Sequence, residues 1–173
     1  MKFFQYLLFL LFLSYLSDGQ AKVLKFRGQL NSLPEQTVLE IFQKADSLIT
    51  QIETKFDNPF TSTLLQKNDD IYLHLMGLSY LFKYVDGEFE NLYQRNFHGY
   101  NFSSYSFTYK DIILNYGGSG FWRANNNLIF FDNQLNEWEF ILTTEEVTAN
   151  KISNPILYFS FGKHLYFLTT DDV

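Results

Sequence analysis

Cysteine is absent from the 173 residues, which excludes disulfides, a thiol nucleophile and a lipid-modified cysteine in this chain. Basic residues are sparse, 13 Lys and Arg against 19 Asp and Glu, and the formal charge is −6. Phosphate contacts need concentrated Lys and Arg, so nucleic acid is not an expected partner. An acidic domain meets neutral or basic partners more easily. Proline and methionine are also scarce, three and two residues. Against these absences stands an aromatic content of 20%, with 20 Phe and 12 Tyr. Aromatic and β-branched side chains suit pleated, half-buried strands, so an all-β protein is expected.

Only the N-terminus carries a long hydrophobic run. Lys2 gives a short basic start, Phe3 to Leu16 is apolar except for Gln5 and Ser14, and Gly19 and Ala21 place small residues before Lys22. This is the pattern of an export signal cleaved before Lys22. A membrane anchor is the competing reading, but spanning a bilayer takes roughly 20 apolar residues. The expectation is therefore a signal peptide over residues 1–21 and one domain over 22–173, located in the periplasm, at the cell surface or outside the cell. The membrane enters only through export.

The run from Ile112 to Ile141 reads as three strands of one sheet. An apolar strand, Ile112 to Tyr116, stops at Gly117-Gly118. A polar stretch ends at Asn125-Asn126-Asn127, and a second strand, Leu128 to Phe131, meets a turn at Asp132-Asn133-Gln134. A third strand carries Trp138, Phe140 and Ile141. Self-similarity at tens of residues marks propellers and other repeat arrays. The segment Leu78 to Tyr93 lays over this pattern at an offset of 49, with the turn at Asp86-Gly87 and Phe89 opposite Trp138. Hairpins of a second type lie between, around Asn68-Asp69-Asp70, Lys110-Asp111 and Gly162-Lys163. The two types alternate as inner and outer halves of successive sheets would.

Thr37 to Ile52 is a fainter copy, with Leu48 opposite Phe89 at an offset of 41 and Lys44-Ala45-Asp46 at the turn. The repeat favours strands over residues 34–54. Val38, Ile41, Phe42, Ala45, Leu48, Ile49 and Ile52 also fit one face of a helix, and Ser32 with Glu35 fits a capping box, so a helix is the alternative.

Gly117, Gly118, Phe131, Asp132 and Trp138 together resemble the kelch repeat, which has a glycine pair closing the second strand, an aromatic-Asp pair ending the third, and a Trp six residues after that Asp. The resemblance implies a partial β-propeller of about two to three kelch-like antiparallel four-stranded blades after the signal peptide. It also implies that Trp138, and Phe89 with it, pack between neighbouring blades. Closed propellers use four to eight blades. The chain is thus expected to be the front part of a longer protein or a shortened product that cannot close its ring. Unpaired sheet edges would then invite self-association.

Partners of propellers dock on the connections between strands, and Trp, Tyr and Arg anchor interfaces. Phe121, Trp122 and Arg123 in one connection, and His98 and Tyr100 beside Gly99 in another, are the candidate partner-binding residues. The alternative for Trp122 is that it folds back over the blade edge. Other motifs carry less. Gly117-Gly118 is followed by a strand, not by the helix that a phosphate loop needs. His74, His98 and His164 lack carboxylates at metal-ligand spacing, and Asp69-Asp70 and Asp171-Asp172 read as solvated turn and terminal residues. No calcium-loop or serine-elbow motif occurs, and Asn101-Phe102-Ser103 is a formal glycosylation acceptor. No catalytic residue, metal or cofactor is implied.

The expected function is a non-enzymatic interaction module that binds protein or polysaccharide through its loop face. Two alternatives are a sensor or accessory portion of a larger envelope signalling protein, and a fragment of a propeller enzyme acting on glycans. The chemistry of galactose oxidase, the best-known enzyme that kelch-like folds resemble, needs a cysteine-crosslinked tyrosine and is excluded here.

Overall fold

Alternating apolar positions separated by two- to four-residue turns fold into a succession of antiparallel hairpins. The structure is a computed structural model and describes residues 24–27, 33–57, 60–93, 102, 104–119, 127–141, 155–161 and 164–169. The expected signal peptide lies outside the described residues.

Two sheets and one helix make up most of the fold. In the first sheet, β2 (Ser62–Lys67), β3 (Asp70–Leu75), β4 (Tyr80–Val85) and β5 (Glu88–Asn91) form an antiparallel meander. A further strand, β1 (Leu24–Arg27), pairs in parallel with β2. The second sheet is another antiparallel meander of β6 (Tyr105–Tyr109), β7 (Ile112–Tyr116), β8 (Leu128–Asp132) and β9 (Glu137–Phe140). A separate hairpin joins β10 (Pro155–Phe161) to β11 (His164–Thr169). Turn chemistry sets these registers. Asp86-Gly87 and Lys110-Asp111 have positive φ at both residues, the backbone that matches the right-handed twist of the flanking strands. The Asp132 carboxylate accepts from the backbone N–H groups of Gln134 (2.7 Å) and Leu135 (3.2 Å), closing the β8–β9 turn.

The repeat favoured strands over residues 34–54, but all of them after Pro34 belong instead to a 22-residue helix, α1 (Glu35–Phe56). The physical reasons lie in the segment itself. Between Glu35 and Phe56 there is no glycine or proline to turn on, and Ala45, at the centre of the expected turn, is the strongest helix former. Its apolar residues recur at three- and four-residue spacing, so only a helix gathers them on one side. The capping box does not form: Pro34 occupies the N-cap position without a side-chain cap, and Asp57 ends the helix in the left-handed conformation. The helix also accounts for the parallel pairing of β1 with β2, because parallel neighbours need a long crossover between them.

α1 buries Val38, Ile41, Phe42, Ala45 and Ile49 against Leu64, Ile71, Leu73, Leu75 and Phe82 of the first sheet. The ion pair of Lys44 with Glu88 and a hydrogen bond from the Tyr84 hydroxyl to Glu40 (3.1 Å) tie it to the β4–β5 hairpin. The opposite face of the first sheet packs on the second sheet. Leu65, Tyr72, Leu81 and Tyr93 meet Ile113, Phe131 and Trp138 there. Trp138 is thus intersheet core, whereas Phe89, expected between sheets, packs against the helix cluster. The two residues are nevertheless equivalent, each the second residue of the fourth strand of its meander. α1 therefore stands to the first sheet as the first sheet stands to the second, and it occupies the face that a preceding sheet would need.

This packing makes a specific demand on stability. Phe42→Ala should lower the unfolding free energy by about 3–5 kcal/mol, and Leu39→Ala, on the exposed side of the same helix, by less than about 0.5 kcal/mol. Urea titration of both variants would show equal small losses if α1 were not part of the core.

Candidate functional site

The two ends of the stacked sheets differ. One end carries the short turns at 68–69, 86–87, 110–111 and 133–136. The other carries the longer connections, and backbone hydrogen bonds hold their roots. Met76 N–H donates to Thr61 O (2.9 Å), Leu92 N–H to Leu81 O (2.8 Å), Gly117 N–H to Asn127 O (2.9 Å) and Ile141 N–H to Leu128 O (2.9 Å).

At this end Phe102 and Ser119 form an isolated antiparallel bridge, with N–H to O distances of 3.1 and 2.8 Å in the two directions. Phe102 lies over Gly77 in the β3–β4 turn, where φ is +91° and a Cβ would come within 2.5 Å of the Phe102 ring. Glycine is required there twice, for the backbone angle and for the space. Next to it, the indole N–H of Trp138 donates to Ser79 O at 2.9 Å. The second sheet is thereby fastened to the β3–β4 turn of the first.

The five sequence-predicted partner-binding residues lie outside the described residues. The described residues that flank them are Tyr93 and Phe102 on the connection of His98 and Tyr100, and Ser119 and Asn127 on that of Phe121, Trp122 and Arg123. The Phe102·Ser119 bridge therefore brings the end of one candidate connection against the start of the other. Sequence reasoning placed both on a loop face but had no signal for this bridge, which joins residues of unremarkable type. Asn101 and Ser103 of the glycosylation motif, His98, Gly162-Lys163 and Asp171-Asp172 are likewise outside the described residues.

Beneath this end lies a polar set that sequence reasoning missed. His74 in β3 faces Thr63 across the first sheet, Ser106 in β6 faces Asn115 across the second, and His74 Nδ1 meets Ser106 Oγ at 2.6 Å between the sheets. His74, Thr63, Ser106 and Asn115 are all fully or almost fully buried. The His74 ring also stacks near Trp138, with centroids 4.9 Å apart. Burial pushes the His74 pKa down to about 3, so the imidazole is neutral at physiological pH. Thr63 Oγ1, His74 Nε2, Ser104 Oγ and both side-chain amide atoms of Asn115 have no hydrogen-bond partner among the described residues. A serine against a histidine suggests a nucleophile with its base, but a nucleophile must reach substrate and this pair is sealed between two sheets. Its chemistry is that of a neutral intersheet hydrogen bond.

Among the described residues, no three His, Asp or Glu side chains come together as a metal site. Asp70, read as a solvated turn residue, pairs with Lys83 at 2.8 Å. The chain matches no protein-family model and no curated protein.

Burial of neutral His74 predicts an acid sensitivity with a definite sign. Its folded pKa lies below the unfolded value of 6.5, so the unfolded chain binds the extra proton first. Stability is complete above pH 6.5 and falls as the pH drops from there towards 3. Between pH 7 and pH 5 the wild type should lose about 2 kcal/mol more than His74→Gln. Urea titrations at both pH values with equal losses would contradict a buried neutral histidine.

Proposed function

We propose that this chain is an exported, non-enzymatic interaction module that reads a protein or polysaccharide partner through the connection-bearing end of its sheet stack. One observation carries the reading: the Phe102·Ser119 bridge joins the roots of the two connections that hold His98 and Tyr100 and Phe121, Trp122 and Arg123. Aromatic and arginine side chains dominate interface energetics, and a root held by backbone hydrogen bonds lowers the cost of ordering the connection that presents them. Among the described residues, the opposite end offers short turns built mainly from Asn, Asp, Lys and Gly, with Leu135 as its exposed apolar side chain.

The kelch-like character of the sheets belongs to this proposal. In its favour, Gly117-Gly118 follows the second strand of the second meander, Phe131-Asp132 ends the third, and Trp138 sits in the fourth between the sheets. Export is proposed on the N-terminal pattern before Lys22.

The test compares the two ends directly. Binding of the exported chain to an array of polysaccharides should fall at least tenfold in Trp122→Ala, with the melting temperature unchanged. If no polysaccharide binds, a photo-crosslinker at position 122 should capture a protein partner, and one at Asn133 on the short-turn end should not. Capture from Asn133 alone, or a large loss of stability in Trp122→Ala, would overturn the assignment.

A further inference from the structure

The outer face of the second sheet, turned away from the first, carries its own set of buried side chains. Tyr105, Phe107, Leu114 and Tyr116 form a core cluster there, joined by Tyr109, Leu128 and Phe130, and Phe107 is 0% exposed. Neither α1 nor the first sheet reaches this cluster, because both lie beyond the opposite face. Something else in the chain covers it.

Aligning the three inner hairpins on their two-residue turns identifies the covering segment. The turns are Asn68-Asp69 between β2 and β3, Lys110-Asp111 between β6 and β7, and Gly162-Lys163 between β10 and β11. On this alignment Leu64, Gln66, Ile71 and Leu73 correspond to Ser106, Thr108, Ile113 and Asn115, and then to Tyr158, Ser160, Leu165 and Phe167. In the first sheet this row includes the residues that meet α1, and in the second it includes those that meet the first sheet. The row always faces the preceding layer. The complementary row, Leu65 and Tyr72 in the first sheet, faces the following layer, and its counterparts in the second sheet are Phe107 and Leu114 of the outer-face cluster.

We infer that the β10–β11 hairpin is the first half of a third layer, docked on the outer face of the second sheet through the register positions Tyr158, Ser160, Leu165 and Phe167. Two further observations agree. The step from β5 to β6, which carries the chain from the last strand of one meander to the first strand of the next, uses residues 92–104, and the step from β9 to β10 uses residues 141–154. Either length reaches up to roughly 40 Å, ample for a layer spacing of about 10 Å. Second, Thr108 donates its hydroxyl to the Gln66 carbonyl at 3.0 Å where β6 passes β2. By register, Ser160 is the β10 residue that corresponds to Thr108 of β6, so a third layer in the same order would set Ser160 against the Thr108 carbonyl. The occupant is thus a segment of the same chain, continuing the order in which α1, the first sheet and the second sheet already follow one another.

The inference is tested by nuclear Overhauser contacts in the full chain, with aromatic and leucine side chains labelled and with labelled and unlabelled molecules mixed to separate contacts within a molecule from those between molecules. Contacts within one molecule are expected from Phe107 and Leu114 to Tyr158, Leu165 and Phe167. Contacts from the alternate positions Phe159 and Tyr166, contacts only between molecules, or no contacts from the hairpin at all would each overturn it.

Discussion

The contact on which the rest of this structure depends is the wedge of Trp138 between the two sheets. Its ring meets Phe131 edge-on at 5.4 Å and His74 at 4.9 Å, and its N–H reaches the backbone of Ser79 at 2.9 Å. One side chain from the last strand of the second meander thereby touches its own sheet, the strand of the first sheet that carries the buried histidine, and the turn that leads into β4. Burying a tryptophan of this size dominates the local energetics, and the donated hydrogen bond removes the cost of burying its N–H. The position of the Phe102·Ser119 bridge follows, because Phe102 rests on Gly77 in the same β3–β4 turn.

The packing has a direction. Each layer presents one row of residues backwards and another forwards, and α1 takes the first position in the series. A ring of sheets requires both faces of every sheet to meet another sheet. Here the backward face of the first sheet meets a helix, so among the described residues the arrangement is a stack with a helical end, as in repeat arrays whose terminal units are capped. The exposed edges are also less open than unpaired strands suggest. β1 covers the β2 edge, and the outer strands β5 and β9 carry Glu88, Glu90, Glu137 and Glu139, charges of the kind that blunt edge-to-edge pairing.

The hairpins were legible in the sequence because strand period and turn chemistry are local. Asp86-Gly87 and Lys110-Asp111 announce their turns, and the 49-residue spacing of Phe89 and Trp138 is reproduced by β5 and β9. The helix was misassigned for an instructive reason. The repeat marked residues 37–52 as a fainter copy of the outer hairpin, but the spacing of Val38, Ile41, Phe42, Ala45 and Ile49 decided the matter, and a helix packs on the first sheet there. β1 went unread because a four-residue parallel strand takes its stability from β2, far along the chain. The polar set was invisible for the same reason. His74 occupies an inward position of a strand that is otherwise apolar after Asp70, but the partner that makes burial tolerable, Ser106, is 32 residues away in another sheet. The candidate connections were legible only as composition, and their common root at Phe102 and Ser119 comes from tertiary pairing alone.

α1 is a full layer of the stack, equivalent in place to a sheet and inseparable from the core. Native-state hydrogen exchange measures this most directly. The amides of Ile41, Ala45 and Ile49 should exchange only through the same global opening that exposes Leu64, Leu73 and Ile113, with matching free energies and matching dependence on low denaturant. Helix amides that exchange through a separate, low-energy opening while the strand amides stay protected would contradict the account, and would leave the first sheet with a face that its own chain does not hold covered.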